Sequence, residues 1–320
     1  IITVVDEATL REMVTSIEVL NNSGGTNLYG EDKYIATINV DDVSCVCTSK
    51  VTDMSEMFAR RKIMGVFNIK GWDTSNVTDM SGMFRNARSP GFQCIGNNLS
   101  ERGNCKIDDL TYWDTSSVTD MSEMFYNATA FNNGGSTSIN NWDVSSVTDM
   151  KGMFSTFWDY ETRLPKFWYE EMNFNQPIGN WDVSNVTNMS GMSKMFSGNK
   201  AFNQDIGDWD ISNIQSLQQM FENATVFNNG GSASIKNWDV SNIGNFIRLF
   251  KDATNFNQDL SSWCTSNVNN SSGFIANNSC QSYSVCNVNS AHGCFGCMVQ
   301  YFSYNSGLTQ DHLPTWMTCP

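Results

Sequence analysis

Ile206-Gly-Asp-Trp209-Asp-Ile211-Ser-Asn-Ile214-Gln-Ser-Leu217-Gln-Gln-Met220-Phe221-Glu-Asn-Ala224-Thr-Val-Phe227 is the cleanest copy of a unit that recurs along this chain. Its apolar residues fall at 206, 209, 211 and 214, then at 217, 220, 221 and 224. The Trp209-x-Ile211 alternation predicts one short strand with two inward side chains. The later spacing predicts a helical turn or two with Ala224 packed inward. Ser or Thr near the start of that turn, with Asp beside it, suits a helix N-terminus. One such unit cannot bury its own apolar stripe, so it needs copies of itself on either side.

The copies are present. Trp recurs at 72, 113, 142, 181, 209, 238 and 263, and a degenerate first copy begins at Val46 with Val46-Cys47-Thr48-Ser49-Lys50-Val51. Successive steps are 26, 41, 29, 39, 28, 29 and 25 residues. They reduce to a unit of about 25 residues with insertions, as loops on a repeating scaffold allow. The opening of each unit follows the leucine-rich-repeat spacing, with Trp as the second apolar residue. The predicted fold is an α/β repeat solenoid, a leucine-rich-repeat-like stack of about eight coils with one short parallel strand per coil. Coils about 4.8 Å apart make a rod of roughly 40 Å. Residues 1–44 are read as an N-terminal cap, 45–275 as the solenoid and 276–320 as a Cys-rich C-terminal cap. In the first, Asp6–Leu20 reads as an amphipathic helix with Leu10, Met13, Val14, Ile17 and Leu20 on one stripe.

Composition narrows the class. Most of the 17 Met and 20 Phe lie inside the repeat, which makes them core rather than a cofactor pocket. A net charge of −14 disfavours nucleic acid and anionic membrane surfaces as partners. No apolar run approaches the ~18 residues of a membrane span. The opening Ile1-Ile2-Thr3 lacks Met and reads as a mature or trimmed product. Ten Cys avoid the regular middle of the array, clustering at 45/47, 94/105 and from 264 to 319. Asn-x-Ser/Thr sequons occur at Asn76, Asn98, Asn127, Asn185 and Asn223, among others. Together these favour an oxidising, extracellular or cell-surface setting.

The pattern WDVSNVTDMSxMF, followed by AxxFNQDIxxW, resembles the repeat of the BspA-like leucine-rich-repeat surface proteins. The resemblance covers about 45–275. It implies a solenoid, surface exposure and adhesive or poorly defined roles, and it brings no catalytic residues. The chain departs from the pattern where Leu217 and Phe246 replace the first Met, and where Cys47 and Cys264 replace the Asp after Trp.

Candidate sites follow from these features. Cys94 with Cys105 is expected to close a loop in the first long insertion, and Cys264 with Cys280 to seal the last coil. The tail set of Cys280, Cys286, His292, Cys294, Cys297, His312 and Cys319 also has zinc-like spacings, but the sequons favour disulfides over metal. Glycans are expected on Asn98, Asn127 and Asn223, the last two facing solvent, with Asn76 and Asn185 as further candidates. Asp73, Asp114, Asp143, Asp182, Asp210 and Asp239 should stack in an outward ladder. Ser, Thr and backbone donors are favoured over Ca²⁺ as its compensation, because an isolated Asp column rarely supplies six ligands. Trp158, Tyr160, Trp168 and Tyr169 form an aromatic insertion suited to a protein or glycan contact, or to shielding one flank. No nucleophile–base constellation, phosphate loop or metalloprotease helix occurs, so the chain is read as no enzyme. The expected function is a secreted or cell-surface structural or adhesive glycoprotein acting through self-assembly or surface contacts. End-to-end association into a filament is weighed against a terminal helix and a Cys-rich tail that block both ends. The alternative is a ligand-recognition module.

Overall fold

The computed structural model describes residues 3–16, 36–39, 46–59, 61–64, 69, 71–87, 110–129, 131–156, 171–267 and 305–314. Strand β1 (Thr3–Val4) leads into helix α1 (Glu7–Ser16), followed by β2 (Ala36–Asn39), β3 (Val46–Cys47) and β4 (Arg61–Met64). β1 pairs in parallel with β3, and β2 with β4. Helix α1 starts where Asp6 Oδ1 accepts the Thr9 amide at 2.8 Å. That side-chain cap satisfies an amide with no partner inside the helix. Val5, Leu10 and Val14 then bury against the first repeat.

Each repeat is hydrogen-bonded to the next by a backbone ladder in which most rungs donate forward, while Thr78, Thr119 and Thr148 donate back to the carbonyls of Thr52, Thr78 and Thr119. Met54, Glu56 and Phe58 donate their amides to the carbonyls of Asp79, Ser81 and Met83. Met80, Gly82 and Phe84 donate in turn to Asp120, Ser122 and Met124. The pattern continues to Leu217, Gln219, Phe221 and Asn223, which donate to Asn245, Ile247, Leu249 and Lys251. Between these bonds, alternate amides close tight turns on the carbonyl three residues back, as Met57 does on Met54.

This ladder corrects two expectations of local structure. No helical turn forms over 217–224, because every second amide there points to the neighbouring repeat rather than along a helix axis. The backbone crosses into the left-handed region at Glu56, Gly82, Glu123, Gly152, Lys194, Gln219 and Arg248, and again four residues later at Asn86, Asn127, Gly198, Asn223 and Asp252. The expected strand at Trp-x-Val forms in the degenerate first copy, where Val46–Cys47 pairs with β1, but is displaced in the later repeats described. The parallel bridges join Asp53, Asp79, Asp120 and Asp149, the Asp just before the first Met of each unit, and later Ser216 with Asn245. Trp instead follows a tight turn, its amide bonded three residues back, as Trp209 is to Ile206.

Inside the ladder, side chains stack in columns. All seven repeat Trp are at most 5% exposed. Trp113, Trp142 and Trp181 lie with ring centroids 6.4 and 6.3 Å apart. Phe58, Phe84, Phe125, Phe154, Phe196, Phe221 and Phe250 form a second column at 5.4–5.9 Å. A third, Phe131, Phe174, Phe202, Phe227 and Phe256, runs beside it. Such aromatic pairs contribute roughly 0.5–1.5 kcal/mol each beyond area burial. A buried indole N–H needs an acceptor. Trp113, Trp142, Trp181, Trp209, Trp238 and Trp263 each donate to a carbonyl of the preceding repeat, at Ile69, Leu110, Ile139, Ile178, Ile206 and Ile235.

The insertions leave this register intact. Across the two long steps the ladder bonds are unchanged: Phe84 meets Met124, and Phe154 meets Met195. The three extra residues around Met189 bulge outward, leaving Met189 74% exposed, and Gly191 takes the rung position held elsewhere by Asp. A Cβ at Gly191 would stand 2.6 Å from Val186 Cγ1, so the bulge needs glycine there. The Asn-Asn-Gly-Gly insertions fold inward instead. Asn133 and Asn229 are fully buried, and their Oδ1 atoms accept the amides of Leu110 and Ile206 at 3.0 Å.

Candidate interaction face

Between the buried Trp and the ladder, most repeats present an Asp, an Asn or Ser, and a Thr on one flank. The Asp column of 73, 114, 143, 182, 210 and 239 is exposed. Each Oδ1 accepts the amide of the Ser two residues on, at 3.0–3.1 Å, closing an Asx turn. At Asp73, Asp114, Asp143 and Asp182 the Ser hydroxyl adds a 2.6 Å bond. These bonds, the hydroxyl first, hold the carboxyls of Asp114, Asp210 and Asp239 below their ordinary range. Hydrogen bonding therefore supplies compensation along this column.

Next to it runs an amide column. Asn76, Asn185, Asn213, Asn242 and Asn267 donate Nδ2 to the Ser carbonyl of the preceding repeat, at Ser49, Ser145, Ser184, Ser212 and Ser241. These side chains are pinned, which lowers the entropy they would lose on contact with a partner. Thr52, Thr78, Thr119, Thr148 and Thr187 form the third exposed row. The row gives way to Gln215 and then Gly244, and there a shallow groove of about 450 Å³ opens, lined by Asn213, Gln215, Asn242, Gly244 and Asn267.

A second Asp column, Asp53, Asp79, Asp120 and Asp149, was not singled out from the sequence. Its signal was the invariant Asp or Asn before Met in the unit. Its carboxylates cap the amides two residues on, as Asp149 does for Lys151 at 2.8 Å. Burial, reinforced by the charges of Asp120 and Glu123, pushes the Asp149 carboxyl above its ordinary range against the pull of that amide. Among the described residues no group of three or more His, Cys, Asp or Glu is arranged to hold a metal ion, and no helix is long and apolar enough to cross a membrane.

The sequence-derived sites divide sharply. Cys94, Cys105, Cys280, Asn98, Trp158, Tyr160, Trp168 and Tyr169 lie outside the described residues. Cys264 is disulfide-bonded, whereas Cys47 is a free thiol with Sγ 3.4 Å from Ser49 Oγ. Asn127 and Asn223 do not face solvent as expected; they are 8% and 6% exposed. Both sit at positive φ in turns whose amides bond the next repeat, and this tucks the side chains into the stack. Asn127 Nδ2 is taken by Asn86 Oδ1 at 2.8 Å, and Asn223 Nδ2 is enclosed with no hydrogen-bond partner. Asn76 and Asn185 are exposed, but their Nδ2 atoms are committed to the amide column.

End-to-end continuation meets an occupied edge. Elsewhere, the carbonyls equivalent to Asp53 O and Ser55 O receive amides from the preceding repeat. In the first repeat Arg11 fills both places. Its Nη1 donates to Ser55 O at 2.8 Å, and its Nη2 to Asp53 O at 3.3 Å and Asp53 Oδ1 at 2.9 Å. An exposed strand edge is sticky, and a charged side chain laid along it blunts that tendency.

No curated protein and no solved structure matches the chain. One family model does, in four tandem segments at residues 26–93, 93–168, 157–233 and 231–306. With nearly the whole repeat array covered, this chain belongs to the family described as "Mycoplasma protein of unknown function, DUF285".

Proposed function

We propose that this chain is an extracellular or cell-surface scaffold, a leucine-rich-repeat-like solenoid that works by surface contact rather than catalysis. Its partner is a protein or glycan engaged by the Asp, Asn and Thr columns. The observation that carries this reading is the registry of those exposed columns, with the Asp and Asn side chains and those of Thr78, Thr119 and Thr148 held by bonds to their own turn or to the preceding repeat. Prealigned donors and acceptors at coil spacing suit an extended polar partner. The resemblance to surface-protein repeats supports the location. The aromatic residues Trp158, Tyr160, Trp168 and Tyr169 are assigned as a second contact element. The reading needs no metal or cofactor. Filament growth is the weaker form of it, because Arg11 occupies the first-repeat carbonyls.

The test is direct. Purified protein is screened against immobilised extracellular glycans and matrix proteins, then compared with an Asp210→Lys/Asp239→Lys variant. Binding by the parent that falls at least tenfold in the variant, with Asp311→Lys unchanged, is the expected result. No binding by the parent, or equal binding by the variant, rejects the flank as the contact face.

A further inference from the structure

A polar column on a different side of the stack ends in an unusual way. Asn132, Asn175, Asn203, Asn228 and Asn257 stand one above another. In each step the backbone amide of the next Asn donates to the Oδ1 of the previous one, at 2.9, 2.9, 2.7 and 3.0 Å. Among the described residues Asn257 has no sixth Asn beyond it. Its Oδ1 instead meets Nδ1 of His312 at 2.9 Å, from a segment 55 residues away in sequence. The Asn oxygen only accepts, so the imidazole donates, doing what a backbone amide does in the four earlier steps.

A second substitution lies beside it. The amides of Leu110 and Ile206 are satisfied by the side-chain oxygens of Asn133 and Asn229. The equivalent amide of Leu260 is satisfied by the backbone carbonyl of His312 at 2.9 Å. The same segment adds Asn305 Nδ2 on Asp252 Oδ1 at 3.0 Å, and it sends Leu313 into the common core. Gly307 lies so close that a Cβ would stand 2.8 Å from Thr254 O and 2.9 Å from Phe256 O.

We propose that residues 305–314 form a surrogate terminal rung, and that the end of the stack beneath them is a docking surface for one short, tightly turned segment. Its occupant is this chain's own 305–314, seated in cis. Recognition has three parts. A glycine passes over the carbonyls of 254 and 256. A histidine five residues later replaces the missing rung at Asn257 and Leu260. An apolar residue directly after that histidine enters the core. While the segment is seated, the stack is closed at this end as Arg11 closes it at the other. The proposal is independent of the flank reading above, since it involves no residue of the Asp, Asn or Thr columns.

The test displaces the segment and offers it back. In the full chain, Gly307→Val forces a side chain against two carbonyls and should unseat the tail. A fluorescent synthetic peptide covering residues 304–315 is then titrated onto parent and variant. The variant is expected to bind at least tenfold more tightly than the parent, whose surface is already filled. A peptide carrying His312→Ala should lose most of that affinity. A folded variant that takes up no peptide, or a parent that binds equally well, overturns the proposal. Because Gly307→Val risks the fold, the full-chain variant His312→Ala is measured too. It should speed amide exchange at Leu260 with the near-ultraviolet Trp signal unchanged. Loss of that signal in both variants would make the segment a core element rather than a seated rung, and so also overturns the proposal.

Discussion

The buried and exposed columns share one period but answer to different physics. Inside, a spacing of 5.4–5.9 Å sets Phe rings face over face, so each added repeat reinforces the one before. Outside, the same period brings like charges together, and each Asp must be quieted separately by its own Ser. Repetition is cooperative in the core and merely tolerated on the surface. The stack should therefore be sensitive to single changes inside and forgiving outside.

The largest effect is expected at the middle of the Phe column. Phe196→Ala removes ring contacts to Phe154, Phe202 and Phe221 and should cost about 3–5 kcal/mol in denaturant unfolding. A loss below ~1 kcal/mol would show that the column does not act as a packed core. Next comes Asn229→Ala. It strands the Ile206 amide and removes bonds to Ser232 O and Ser234 Oγ in an enclosed site, for about 2–4 kcal/mol. Trp209→Phe keeps the shape of an aromatic but leaves Ile178 O without its indole donor, with an expected loss of ~1–3 kcal/mol.

The two Asp columns sharpen the contrast through pH. Asp149 is raised in the folded state, so the fold binds its proton more tightly than the unfolded chain does. Its contribution falls as pH rises from the ordinary Asp value through the raised one. Asp149→Asn should therefore leave neutral-pH stability unchanged or improve it, and remove that part of the pH profile. Asp239 is lowered, so its contribution is present above the ordinary value and is lost as pH falls through the lowered one. Asp239→Asn should change stability at pH 7 by at most ~0.5 kcal/mol, since the group is exposed and screened. Thermal melts between pH 3 and 7 compare the two. Changes in slope of the same sign in both variants, each taken relative to the parent, would break the contrast.

Much of this was legible in the residues. The Trp, Met and Phe positions mark what is buried, because a 25-residue period leaves few other ways to hide those side chains. The outward Asp ladder and its Ser partners were legible too, as Asp-x-Ser is an Asx turn in local sequence. The local backbone was not. Apolar spacing at 217, 220, 221 and 224 is shared by a helix and by a chain of tight turns. What separates them is whether alternate amides find a partner in the next repeat. The sequons at Asn127 and Asn223 misled for a related reason. A three-residue motif carries no record of the left-handed turn that encloses its Asn.

By itself the amino-acid sequence determined that units stack, which faces are apolar and where insertions fall, since each follows from periodicity and composition within one unit. Only the tertiary structure decided how the stack begins and ends. Arg11 reaches Ser55 across 44 residues, and His312 reaches Asn257 across 55. Neither pairing has a local signature. Each exists because a ladder of backbone groups leaves unmatched partners at its last rung, and a buried or edge amide or carbonyl must find one somewhere.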